Sequence, residues 1–241
     1  VIDREALAER ERKGMMTLGR GLIAALLEAC LEAGVEIRTR TRITELPEAD
    51  AVVLATGGFE RDPQLSKAFL RGPLLAPVGA PQCEGDGLRM AMAAGAALGN
   101  MSEAWWCPAY RVPGETIDGA PMYRLILTER ARPHSLIVDR SGRRFLDEAQ
   151  NYSDFGRAML NWDPPSNSFP HVPAWLIFDH QYRTGYRLGP LARKAPDPDW
   201  LAKGETLAEL AGKIGVPADA LTQTVERFNE HAARGEDPDF G

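Results

Sequence analysis

Cysteine, histidine and long hydrophobic runs are scarce in this 241-residue sequence, and each scarcity removes a class of protein. Cys30, Cys83 and Cys107 are odd in number and widely spaced, with no second pair and no clustered histidines. That excludes a disulfide framework and a closed metal site, and it marks all three as reduced thiols. No stretch reaches the roughly 20 apolar residues that span a bilayer as a helix. The opening Val1-Ile-Asp-Arg-Glu5 is charged rather than signal-like. A basic stripe is missing too: 34 Asp and Glu outnumber 28 Lys and Arg, the net charge is −6, and aromatic residues are not interleaved with cations. Nucleic acid is therefore not an expected partner. The chain is expected to be soluble and cytoplasmic, with no transmembrane segment and no metal.

What the sequence does contain is one highly informative segment, Ala51-Val-Val-Leu-Ala-Thr-Gly-Gly-Phe-Glu60. A short apolar run reads as a strand buried on both faces, and two glycines at its end leave bare backbone for close approach. Two readings fit this pattern, a tight turn after a core strand and a strand end that meets a flat or charged cofactor.

Upstream, Leu18, Leu22, Ile23, Leu26, Leu27, Cys30 and Leu31 recur at three- and four-residue spacing, with Gly34 as a stop. This predicts a helix with Cys30 facing the core, followed by strands over Val35–Thr39, Thr41–Leu46 and Ala51–Ala55. Gly85-Asp86-Gly87 opens a second helix running to about Leu98, with Asp86 placed as its N-cap and a surface of small residues suited to a close neighbour. From Trp105 the character shifts to turns, prolines and aromatics. Strands are expected at Ser135–Asp139, Arg144–Leu146 and Ala174–Asp179. Thr206 and Glu209 form a capping box for a helix ending near Gly215, and Pro217 starts another through Val225, Phe228 and His231.

Four segments occur in an order that carries a resemblance: Ala55-Thr-Gly-Gly-Phe59, Gly85-Asp-Gly-Leu-Arg-Met-Ala-Met-Ala-Ala-Gly95, Glu103-Ala-Trp-Trp106 and Gly142-Arg-Arg-Phe-Leu-Asp-Glu148. The chain resembles flavoproteins of the fumarate reductase/succinate dehydrogenase superfamily, and within it the 3-ketosteroid Δ1-dehydrogenases. The resemblance implies an α/β flavin-binding domain portion over residues 1–104 and an α+β cap, or substrate, domain over 105–241, together a fragment of a longer two-domain flavoprotein. It also implies FAD held at Ile43, Ala55, Thr56, Gly57, Gly58 and Asp86.

Tyr152, before Ser-Asp-Phe-Gly156, stands about where fumarate reductases carry a proton-donating arginine, and the ketosteroid enzymes resemble this chain in having a tyrosine there. The implied reaction removes hydrogens α and β to a ketone, with the hydride going to FAD and the proton to Tyr152. A free phenol ionises near pH 10, so such a base needs neighbouring donors or cations, or a concerted transfer. Arg157 lies five residues on and points elsewhere on a helix. Trp106, Tyr110, Trp175 and Ile177 are candidate walls for a small hydrophobic ketone such as a steroid, each with an alternative role in the core. Arg124 and Arg130, near Glu129, read as solvated or ion-paired surface. An external electron acceptor is implied but not identified. The alternatives are a fumarate reductase-like protein that reduces an activated double bond, and a non-catalytic truncated remnant that binds a ligand or partner.

The sequence also departs from that superfamily. It has no Gly-X-Gly-X-X-Gly, no C-terminal half of the flavin domain, and only Pro47–Asp50 where relatives usually carry a β-hairpin. It reads as the middle of a longer flavoprotein and is expected to hold little FAD and to be inactive alone, because the helix N-terminus that receives the pyrophosphate is absent.

Overall fold

Residues 4–15 and 18–241 are described by a computed structural model, in which the chain divides into two units at the junction of Leu46 and Pro47. The first unit holds α1 (Arg4–Arg12) and α2 (Leu18–Glu32). The predicted α2 forms and stops as expected: Gly34 N–H and Val35 N–H turn back onto Leu31 O and Cys30 O at 3.1 and 3.0 Å. Its apolar residues are largely exposed among the described residues. Leu22, Ile23, Leu26, Leu27 and Leu31 are 46–63% exposed, and Cys30, expected to face the core, is exposed as well.

The strands expected at Val35–Thr39, Thr41–Leu46 and Ala51–Ala55 do not form among the described residues: the chain is irregular there, with a turn at residues 39–40, where Arg40 has φ of 56°. A strand exists through bonds to a neighbour, and none of the described residues pairs with these. The strand expected at Arg144–Leu146 is likewise absent, the chain there being used for an ion-pair network instead.

In the second unit, Asp62 caps α3 (Pro63–Phe69), accepting from Gln64 N–H and Leu65 N–H. Helix α4 (Asp86–Ala93) begins one residue earlier than expected relative to Asp86: Gly85 is the N-cap and Asp86 is the first helical residue. It ends at Ala93 rather than Leu98, because Gly95 and Ala96 bond back to Met92 O and Ala91 O. Strands β1 (Ala109–Ile117) and β2 (Ala120–Leu125) make an antiparallel hairpin. Its two-residue turn, Asp118-Gly119, has φ of 48° and 79°, the geometry that suits the twist of paired strands.

The best-packed part is a layered core. Strands β3 (Ser135–Val138) and β4 (Trp175–Phe178) pair antiparallel, with Leu136 opposite Ile177 and Val138 opposite Trp175. Alternate residues face opposite ways. Leu136 and Val138 join Ala211, Val216 and Leu221 of the α7 (Leu207–Ile214) and α8 (Ala218–Ala232) layer, whereas Ile137 joins Leu146 and Phe155 on the side of α5 (Tyr152–Met159). A short helix α6 (His180–Gly185) follows β4. Arg144, almost fully buried, pairs with Glu148 and Asp237 at 2.7 Å each. It also lies 4.8 and 4.9 Å from the Phe228 and Phe240 ring centres, so residues 237–240 are tied to the start of this layer.

Candidate functional site

Two neighbourhoods of the second unit collect the residues singled out in the sequence. In the first, the Thr56-Gly57-Gly58 backbone meets the loop that opens α4. Gly85 N–H donates to Gly58 O at 3.1 Å, and Cys83 O accepts from Arg61 N–H at 3.0 Å. Gly57 has φ of 78°, and a Cβ there would stand 2.9 Å from Cys83 Sγ. Gly87, in the first turn of α4, lies so close to Thr56 that a Cβ would occupy the space of the Thr56 hydroxyl. Residues 51–58 are all exposed, including Ala55, Thr56, Gly57 and Gly58, while Gly85 and Gly87 are buried behind them and Asp86 is half-buried. The result is a strip of accessible backbone with a helix start beside it and the Glu60 carboxylate folded next to Gly58. Such a surface fits a flat cofactor with a polar tail, since side chains would keep that group away. Ile43 belongs to the first unit, where it is 48% exposed.

The second neighbourhood is built around α5. Asn151 caps it, accepting from Ser153 N–H at 2.9 Å and Asp154 N–H at 3.1 Å, so Tyr152 is the first helical residue. Tyr152 is 45% exposed, whereas Phe155, less than a turn later, is 1% exposed. Arg130 corrects an expectation: it is 4% exposed, donates to Glu148 O and to Gln150 O, and stands 4.8 Å over the Phe155 ring. It therefore holds the segment that leads into Tyr152. Arg124 is ion-paired as expected, gripping Glu115 at 2.6 and 2.9 Å. Arg157 points to Glu103 and Asp154 at 3.6 and 3.5 Å, which agrees with its expected turn away from Tyr152.

Trp106 belongs to this neighbourhood. It is 6% exposed, its indole N–H has no partner among the described residues, and its backbone abuts Gly156 of α5. Trp105, by contrast, is 91% exposed. The Tyr110 hydroxyl is buried against Gly189, and burial, with Glu129 nearby, pushes its pKa up. Burial likewise raises the Cys107 thiol, in keeping with a packing role. Trp175 and Ile177 pack with Leu136 and Val138 under α7 and α8. The pleat of the β3–β4 pair thus puts them on the opposite side from Phe155 and α5.

Comparison with known proteins bears on both neighbourhoods. The family description "FAD binding domain" matches residues 47–240, nearly the whole of the second unit. The chain belongs to the FAD-binding-domain family. FAD is the cofactor of that family, and the exposed Thr56–Gly58 strip is a surface of the right kind for it.

Among similar proteins, 4-oxocyclohexanecarboxylate 2-dehydrogenase of Sinomonas cyclohexanicum is 40% identical over 98% of this chain and 45% of its own length. The 3-oxosteroid 1-dehydrogenase of Mycolicibacterium smegmatis is 37% identical over 95% of this chain and 45% of its own length. Among solved structures, 3-ketosteroid Δ1-dehydrogenase from Sterolibacterium denitrificans, in complex with 1,4-androstadiene-3,17-dione, superposes with a TM-score of 0.70 at 39% identity, covering 77% of this chain and 34% of that one. This flavoprotein is thus of the fumarate reductase/succinate dehydrogenase type, close to the ketosteroid dehydrogenases. It spans about half the length of the curated relatives it matches. The first match runs over 262 positions, more than this chain has residues, so that relative carries internal segments with no counterpart here.

Sequence reasoning missed Cys83 and Gly156 as supports of these neighbourhoods. A glycine in the middle of a helical segment was the available signal for Gly156. None existed for Cys83.

Proposed function

We infer that this chain is part of an FAD-dependent dehydrogenase that desaturates a CH–CH bond beside a ring ketone, with Tyr152 as the base. The observation that carries this reading is the placement of Tyr152 as a half-exposed phenol on the first turn of a capped helix whose other side is locked into the core. A base must be accessible to substrate yet fixed in position, and this arrangement provides both. The names of the 40% and 37% identical relatives add support, because a cyclohexanone and a steroid ketone share a carbonyl in a six-membered ring.

In this reading, residues from about 105 onward form a cap over the flavin. Trp106 and Tyr110 stand on the substrate side of that cap. Ala55, Thr56, Gly57 and Gly58 present backbone to FAD, Asp86 lies against its nucleotide, and Ile43 faces the adenine. Bound FAD supplies the hydride acceptor. The chain's own part is to hold the ring, exclude water with apolar walls, and take the α proton on the Tyr152 oxygen. An external acceptor reoxidises the cofactor.

The test is Tyr152→Phe in the whole flavin-loaded protein of which this chain is a part, assayed with a 3-oxosteroid and with 4-oxocyclohexanecarboxylate. Loss of a general base lowers turnover by about 10²- to 10⁴-fold, with flavin absorbance per chain unchanged. Full turnover without the hydroxyl would exclude Tyr152 as the base, and the ketone that is consumed identifies the substrate class.

A further inference from the structure

We propose that Gly156 is a positioning residue for Tyr152: by admitting the Trp106–Cys107 backbone directly against α5, it fixes where the phenol stands. The inference rests on the reading of Tyr152 as the base. Tyr152 and Gly156 are four residues apart on one helix and so share a face. On that face there is no room for any side chain at 156. A Cβ there would lie 2.5 Å from Trp106 Cβ, 2.8 Å from the Trp106 carbonyl carbon and 3.0 Å from Cys107 N. Two of these are backbone atoms, and Trp106 is 6% exposed, so neither partner can swing aside as a surface side chain would.

The rest of α5 is held as firmly. Phe155 is wedged with Ile137 and Leu146, Arg130 grips the carbonyls of Glu148 and Gln150, and Asn151 caps the first turn. A methyl group at 156 can be accommodated only by moving α5 off the Trp106 segment, with Phe155 as the pivot. That motion carries Tyr152, one turn away, with it. The glycine also explains why Trp106 and Tyr152 belong to one neighbourhood: the helix sits flush on the segment that ends in the indole.

The decisive experiment compares four flavin-loaded forms of that whole protein, the parent, Gly156→Ala, Tyr152→Phe and the double variant, by single-turnover flavin bleaching with the ketone that the parent consumes. Gly156→Ala is expected to slow bleaching about 10- to 100-fold, the scale on which small misplacements of a reacting group act. The substrate KM and the flavin content should change little, and the loss should largely vanish in the Tyr152→Phe background. If Gly156→Ala slows the Tyr152→Phe protein as much as the parent, the positioning role is wrong while the base reading stands. If Tyr152→Phe itself bleaches at the parent rate, the base reading falls and this inference with it. Should Gly156→Ala fail to take up flavin, Asn151→Ala loosens the same turn from its exposed end. A slowed rate restored by Asn151→Ser, which keeps the cap without adding a charge beside Asp154, supports the proposal, and an unchanged rate in Asn151→Ala overturns it.

Discussion

Glycine allows close approach in two regions of this protein, and the regions differ in how much of the backbone stays open. At Gly142 and Gly156 the neighbour is the chain itself: a Cβ at Gly142 would meet Leu221 N at 3.1 Å, and one at Gly156 would meet Trp106 and Cys107 backbone. Around Gly57 and Gly58 the chain also comes close on one side, with Cys83 Sγ by Gly57 and the Glu60 carboxylate by Gly58, but the backbone stays exposed and Val53 nearby is 88% exposed. One region is closed by its own residues. The other keeps an apolar, backbone-rich surface open, the pattern of a site whose complement is a ligand or further chain. Substitutions in the first region should therefore change flavin content only in step with folding, whereas those in the second should lower flavin content first.

The comparison is tested most strongly at Glu148. Its carboxylate accepts from Arg144 at 2.7 and 2.9 Å and from Ile137 N–H at 2.9 Å, inside the packed layer. Glu148→Ala leaves a buried guanidinium uncompensated on that side and should cost about 3–5 kcal/mol, seen as an early urea midpoint. Flavin lost only in step with unfolding would keep the two regions distinct. Flavin lost from protein that remains folded would break the distinction.

Gly57→Ala probes the open side. Its φ of 78° and the nearby Cys83 Sγ impose strain on the order of 1–3 kcal/mol. The expected outcome is a modest fall in stability but a marked fall in the flavin-to-protein absorbance ratio. Equal losses of both would mean that Gly57 shapes the fold rather than the cofactor surface.

A smaller loss is expected in acid, and again in the packed layer. Burial pushes the Asp139 carboxyl up, but hydrogen bonds from His171 at 2.9 Å and from Ser141 outweigh it and leave the group below its ordinary range. A carboxylate depressed in the folded state contributes stability above its unfolded pKa, near 3.9. That contribution is lost as pH falls through the lower folded value. Asp139→Asn should flatten the acid limb of a melting-temperature profile below about pH 4. An unchanged limb would remove this pair from the account.

Legibility in the sequence followed the same divide. The β3 and β4 strands and the α7 and α8 helices could be read from local pattern, because each carries its own apolar run or cap and finds its partners within the second unit. Val35–Ala55 carries strand-like residues, yet no ladder forms among the described residues, since pairing depends on a neighbour that local pattern cannot supply. Arg130 was misjudged for a related reason: charge suggests surface, and only the fold brings the Glu148 and Gln150 carbonyls to it. The Asp118-Gly119 hairpin was readable and overlooked. At the site, Thr-Gly-Gly and Tyr152 stood out by motif. The support from Cys83 and Gly156 is a matter of distances, which spacing does not encode.

The smallest effect sharpens the comparison from the packed side alone. Thr206 Oγ1 accepts from Glu209 N–H at 3.1 Å, and Glu209 reaches back to Glu205 N–H at 2.9 Å, one residue before the usual reciprocal partner. Thr206→Ala removes the cap bond at the start of α7 but leaves the Glu209 contact, so the loss should be about 1 kcal/mol. It should appear in urea unfolding with no change in flavin content, because α7 packs on the β3–β4 face away from α5. If this exposed cap instead altered flavin content, a change at the start of α7 would have crossed the β3–β4 layer to reach the cofactor surface. The packed and open regions would then have to be treated as one.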